Sequence, residues 1–186
     1  MSTSIDTSND HILSSDNIHY LHHDFFEPSS KDVEISATLL IVHGMAEHSG
    51  RYSDFAQFLA DNGIAVATYD HLGHGQTIKT EADLGFFGEE HPVQSLLKDV
   101  IVMADSLKDR HPDVPHFVMG HSMGSFIVRN VLKHHAHNFT GAIQVCIQDF
   151  GQLLRGQVFR HGGEELLFSL AYDLDQLQRS FKRFSG

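Results

Sequence analysis

Residues 115–132, PHFVMGHSMGSFIVRNVL, put three patterns in one stretch: an apolar run, a Gly-x-Ser-x-Gly turn, and apolar residues at helical spacing. HFVMG, 116–120, reads as a buried strand, and Phe126, Ile127, Val131 and Leu132 read as one face of the helix that follows. A serine caught between a strand and a helix is held at the tip of a sharp turn. Side chains two positions before and after it would collide there, and glycines, Gly120 and Gly124, occupy those positions. Because Met123 opens the helix, its backbone N–H faces the point where the helix dipole favours negative charge. The plainer alternative is a surface turn in which Ser122 caps the helix, and the flanking strand and helix weigh against it.

The same alternation runs outward from this turn. ATLLIVHG, 37–44, is an unbroken apolar run ending in glycine, as expected of a strand covered on both faces. Tyr52, Phe55, Ala56 and Leu59 recur at i, i+3, i+4, i+7 and predict a helix that Gly63 ends. IAVATYD, 64–70, returns as a strand. Residues 74–91 read as a long irregular loop, after which Pro92 opens a helix whose apolar face is Val93, Leu96, Leu97, Val100, Ile101, Ala104 and Leu107. FTGAIQVCIQ, 139–148, supplies one more strand, and IHYLHHDFFEP, 18–28, an edge strand stopped by Pro28. Strands alternating with helices predict the α/β class: a mostly parallel sheet with helices on both faces.

The division expected along the chain is a mobile Ser-, Asp- and Asn-rich lead-in over 1–17, a partial α/β domain over 18–148, and a divergent tail over 149–186. In that tail DFGQLLRGQVFRHGG has no clear period, and Leu166, Leu170, Leu174, Leu177 and Phe181 predict one amphipathic helix. No internal repeat is evident.

Charge and composition narrow the function. With 186 residues, 41% of them apolar, the chain can bury a real core. A formal net charge of −11, with only 13 Lys and Arg and no basic run, would repel a phosphate backbone, so nucleic acid is not an expected partner. Cys146 is the single cysteine, which removes any internal disulfide framework and suits a reducing compartment. The polar, acidic start lacks the pattern of a secretory signal, and no stretch approaches the ~20 apolar residues of a membrane span. A soluble, cytoplasmic protein is the expectation.

HGMAEHSGRY, 43–52, follows the strand ATLLIV, where a second donor to a developing oxyanion is needed. His43 and Gly44 close the strand, and Met45 is placed to turn its backbone N–H toward the same oxygen as Met123. Glu47 and Arg51 stand at i, i+4 and read as a structural pair worth a few tenths of a kcal/mol, roughly. In DHLGHG, 70–75, the residues Asp70, His71 and His74 read as scaffold that bonds the local backbone of a Gly-rich turn.

HGMAEHSGRY, YDHLGHGQT and GHSMG, in this order and with intervening helices, resemble the monoacylglycerol lipase and lysophospholipase-like branch of the α/β-hydrolases, also called serine aminopeptidase S33-like. The likeness covers about residues 30–143. It implies hydrolysis of a small lipid-like ester through an acyl-serine intermediate, with Ser122 as nucleophile, the backbone N–H groups of Met45 and Met123 as oxyanion hole, and His43, Gly44, Gly120, His121 and Gly124 in support. It implies no cofactor.

In this fold the acid and the histidine of the triad follow the serine in the chain. Asp149 and His161 have the right order, but a separation of twelve positions leaves no strand-helix unit, and His161 reads as a loop histidine. The loss of likeness near Ile143 resembles a truncated or frame-shifted hydrolase, or a different C-terminal extension. Missing strands would leave a sheet edge open to self-association. The expected activity is therefore weak, with a non-catalytic remnant that binds an ester or a protein as the alternative. A metal-binding protein is a further alternative, resting on HHAH, 134–137, where His134 and His137 could share a helix face; no third ligand is indicated, so no metal site is assigned.

Overall fold

The computed structural model describes residues 11–88 and 91–146, together with the backbone of two strands at 155–160 and 165–169. Four parallel strands form the centre of the sheet: β2 (Ala37–Val42), β3 (Ile64–Tyr69), β4 (His116–His121) and β5 (Gly141–Cys146). β1 (His23–Phe26) pairs antiparallel with β3 at one edge, giving the order β1-β3-β2-β4-β5. Helix α1 (Ser53–Asp61) crosses from β2 to β3, α2 (Pro92–Arg110) from β3 to β4, and α3 (Met123–His135) from β4 to β5. The α/β class and the mostly parallel central sheet agree with the reading of the sequence.

Every residue of β2 and β3 is buried, because each strand has a helical layer on both faces. Alternation along the strands sorts the core into two halves. Leu39, Ile41, Ile64, Val66, Phe117 and Met119 pack with Ala56 and Leu59 of α1. Leu40, Val42, Ala67, Tyr69 and Val118 face the other way, onto Leu96, Val100, Met103 and Leu107 of α2 and Ile127, Val128 and Val131 of α3. Gly63 ends the α1 turn at φ +84°, a conformation that glycine adopts without a Cβ penalty. Val93, expected on the apolar face of α2, is instead exposed, while Asp99 is fully buried.

Two expectations change. The lead-in is not free over its whole length. From Ile12 onward it is docked: Ile12 and Leu21 join the core, the Ser14 hydroxyl donates to Asp99 Oδ2 at 2.9 Å, and the Ser15 N–H donates to Asp99 Oδ1 at 2.7 Å. The tail, expected to lack a clear period and then form a helix from Leu166, contains β6 (Arg155–Arg160) and β7 (Glu165–Ser169), both antiparallel to their neighbours. Short apolar runs fit a strand or a helix equally well until a pairing partner decides. β6 pairs with β5 and β7 with β6, so among the described strands β1 and β7 form the two edges of the sheet. Leu170, Leu174, Leu177 and Phe181 lie outside the described residues. Among the described residues, no helix is long and apolar enough to cross a membrane.

Candidate active site

β4 enters the turn and α3 leaves it through Ser122, whose backbone sits at φ +51°, ψ −116°. A non-glycine residue rarely adopts this conformation, and it persists only where the surroundings over-determine it. Here they do. The Ser122 N–H donates to the Val145 carbonyl at 2.8 Å, and the Ser125 N–H returns to the Ser122 carbonyl at 3.0 Å. The buried Ser125 hydroxyl lies 2.7 Å from the Gly120 oxygen and 3.1 Å from that of Val145, tying the turn to β5. The Ser122 hydroxyl makes no capping bond to α3, which removes the helix-cap reading.

The two glycines of the motif serve different neighbours. A Cβ on Gly120 would lie 2.5 Å from the Gly124 oxygen, so Gly120 relieves a collision inside the turn, as the spacing suggested. A Cβ on Gly124 would overlap the Val42 carbonyl oxygen instead. That glycine lets the start of α3 rest directly on the end of β2.

The loop after β2 comes against the same turn. A Cβ on Gly44 would meet the Ser122 Cβ at 3.1 Å and the His121 oxygen at 3.2 Å. Gly44 and Ser122, 78 positions apart in the chain, are thus in close approach. Met45 follows with an exposed side chain, and Ala46 is left-handed at φ +56°.

Glu47 was read as the surface partner of Arg51, and that ion pair exists at 3.0 Å. It is the lesser part of what the carboxylate does. Its other oxygen, Oε2, accepts hydrogen bonds from the Gly44 N–H at 2.9 Å, the Tyr52 hydroxyl at 2.8 Å and His121 Nδ1 at 3.0 Å, and the Glu47 side chain is only 8% exposed. Burial alone would raise its pKa. The bonds from Gly44, Tyr52 and His121 outweigh burial and hold Glu47 below the ordinary glutamate value, so it stays charged.

Beneath the loop lies a buried histidine cluster. His43 Nδ1 donates to the Gly44 carbonyl at 2.7 Å, and His43 Nε2 accepts the His71 N–H at 3.1 Å. His71 Nε2 donates to the His43 carbonyl at 3.1 Å. Burial pushes the His43 imidazole down to about 4 and that of His71 well below its usual value. Both are neutral scaffold. Asp70 accepts the N–H groups of Ser49 at 2.6 Å and Gln76 at 2.7 Å, and His74 Nδ1 bonds the Leu72 carbonyl at 3.0 Å. The DHLGHG segment therefore bonds local backbone and supports the loop after β2.

A family profile described as serine aminopeptidase, S33 matches residues 33–146, from just before β2 to the end of β5. The chain belongs to the serine aminopeptidase S33 family. Among S33-like relatives, the monoglyceride lipase of Mus musculus is 31% identical over 135 residues, 73% of this chain and 41% of that protein. The monoglyceride lipase homolog of monkeypox virus is 37% identical over 91 residues, 49% of this chain and 31% of that protein. Among solved structures, a thermostable carboxyl esterase from Bacillus coagulans, in complex with glycerol, superposes with a TM-score of 0.65 at 28% identity, covering 72% of this chain and 42% of that one. The chain thus spans about two fifths of the length of the mouse lipase and the bacterial esterase.

The S33 segment brings together Gly44, Gly120, His121, Ser122 and Gly124, with His43 buried just below and Met45 and Met123 next to the close approach. Asp149 and His161 lie outside the described residues. His134 is exposed in the last turn of α3 and His137 in the 3-10 turn Ala136–Asn138 that follows it, and among the described residues no group of three His, Cys, Asp or Glu side chains could hold a metal ion. The residues that sequence reasoning passed over are Tyr52 and Ser125, and Glu47 in its inward role. One signal was available: Glu47 stands three positions after Gly44, within reach of the free N–H groups that a strand end leaves.

Proposed function

We propose that this chain carries the nucleophile and oxyanion half of a carboxylic ester hydrolase acting on monoacylglycerol- or lysophospholipid-type esters. The observation that carries the reading is the conformation of Ser122: a positive φ between strand and helix, a hydroxyl with no capping bond, and Gly44 against its Cβ. In this reading Ser122 Oγ attacks the ester carbonyl carbon, its proton passes to a base, and the alcohol leaves as the acyl-serine forms. Water then releases the acid. The N–H groups of Met45 and Met123 stabilise the oxyanion, each donor being worth on the order of 10²–10³ in rate. The names of the mouse and viral relatives and of the bacterial esterase support the ester class.

A second reading, a chain that binds an ester or a protein without turnover, is favoured by one observation. Among the described residues no histidine or carboxylate is hydrogen-bonded to the Ser122 hydroxyl. A serine lacking its base keeps only about 10³–10⁴ over water from the oxyanion hole and binding. Turnover of p-nitrophenyl butyrate and of a monoacylglycerol is therefore expected near background, with slow fluorophosphonate labelling that Ser122→Ala abolishes. Equal labelling of the two proteins would end the ester-hydrolase reading. Rapid turnover lost in Asp149→Ala or His161→Ala would end the second and assign the triad to the tail.

A further inference from the structure

We propose that Glu47 is a positioning residue that sets the separation of the two oxyanion-donating segments. The inference rests on the roles proposed for Met45, Ser122 and Met123. One carboxylate oxygen holds both sides: the Gly44 N–H, one peptide unit before the Met45 N–H, and His121 Nδ1, in the residue before Ser122. Tyr52, at the entrance to α1, supplies the third bond to the same oxygen.

Three further observations point the same way. Ala46, between Met45 and Glu47, is left-handed at φ +56°, an unfavourable state for alanine that needs an outside restraint. The hypothetical Cβ of Gly44 would lie 3.1 Å from both Glu47 Oε2 and Ser122 Cβ, so the carboxylate and the turn close on the same small space. Arg51 cannot account for the arrangement, because it is 59% exposed and bonds Oε1, leaving Oε2 for the inward contacts. An i, i+4 pair whose cation lies largely in solvent adds only a few tenths of a kcal/mol, roughly.

The sign of the effect separates positioning from charge. A carboxylate near a developing oxyanion is electrostatically unfavourable, so if its charge were all that mattered, neutral Glu47→Gln would react faster. A clamp predicts the reverse, because glutamine cannot keep three donors on one charged oxygen.

The test compares the full chain with Glu47→Gln, Glu47→Ala and Arg51→Ala by two measurements. The first is the second-order rate of fluorophosphonate labelling at Ser122. Glu47→Gln should slow it about tenfold and Glu47→Ala about 100-fold, the scale of a roughly 1 Å misplacement, with Arg51→Ala within about twofold. The second is amide hydrogen exchange. In Glu47→Ala, residues 44–46 and 121–125 should lose protection together while β3 keeps its own. Labelling of Glu47→Gln at or above the wild-type rate overturns the proposal, as does full protection of 121–125 in Glu47→Ala. Glu47→Gln is nearly isosteric and keeps the test available should the alanine variant not fold. If wild type and Ser122→Ala label alike, the ester-hydrolase reading has failed and the exchange measurement alone decides the clamp.

Discussion

His43 Nε2 accepts the backbone N–H of His71 at 3.1 Å while its Nδ1 donates to the Gly44 carbonyl at 2.7 Å, so both ring nitrogens are committed in the neutral form. Protonation at Nε2 would set two hydrogens against each other directly beneath the loop that carries Met45.

Stability should therefore fall in mild acid. Burial holds the folded His43 at about 4 against an ordinary 6.5, so below pH 6.5 the unfolded chain binds the extra proton. The contribution is complete above pH 6.5, shrinks as pH falls toward 4, and levels off below that. Its full size is on the order of 3 kcal/mol, with His71 acting in the same direction. Urea midpoints at pH 7.0, 5.5 and 4.5 check this, and a flat profile would contradict it.

Gly124→Ala should be the most damaging single methyl in the turn. Its Cβ would overlap the carbonyl of Val42, and β2 is buried along its whole length, so the backbone there has nowhere to move. A loss of about 3 kcal/mol, the upper end for overpacking, is expected. Gly85→Ala is the comparison. Among the described residues nothing lies within 4 Å of its Cβ, and only its φ of +70° opposes the change, at a cost of about 1 kcal/mol. Equal urea midpoints for the two variants would refute the assignment of Gly124 to the β2 contact.

Ser125→Ala should loosen the turn without touching Ser122. It removes the hydroxyl that lies between the buried Gly120 and Val145 carbonyls. A cost of about 1–2 kcal/mol in urea unfolding is expected, together with faster amide exchange at Ser122. Unchanged exchange at that amide would mean that the Ser122 N–H to Val145 bond suffices alone.

Ser14→Ala should release the N-terminal segment from α2. Asp99 is fully buried and receives the Ser14 hydroxyl and the Ser15 N–H; removing the former leaves an acceptor oxygen without its partner. The expected loss is about 1–3 kcal/mol, with proteolytic nicking before Leu21 that the wild type resists. A variant as resistant as wild type would show that Ile12 and Leu21 anchor the segment by apolar burial alone.

What could be read from the linear chain was what local pattern controls. Ala37–Val42 and Ile64–Tyr69 announce themselves as strands buried on both faces, because only such strands dispense with polar alternation. Pro92 and the apolar period after it locate α2, and the spacing of Gly120 and Gly124 about Ser122 predicts the sharp turn before any coordinate is seen. Glu47 marks where such reading ends. Four residues from Arg51 it looks like half of a surface pair, yet its second oxygen bonds His121, 74 positions away, and no periodicity encodes that distance. Asp99 is similar: a charge on a helix reads as solvated until a segment 85 residues earlier supplies its hydrogen-bond donors. Leu166 fits a helical period, and it is pairing with β6 that makes residues 165–169 a strand. In each case the deciding contact joins groups far apart in sequence, and a buried polar group or a strand edge takes its identity from the partner that the folded chain brings to it.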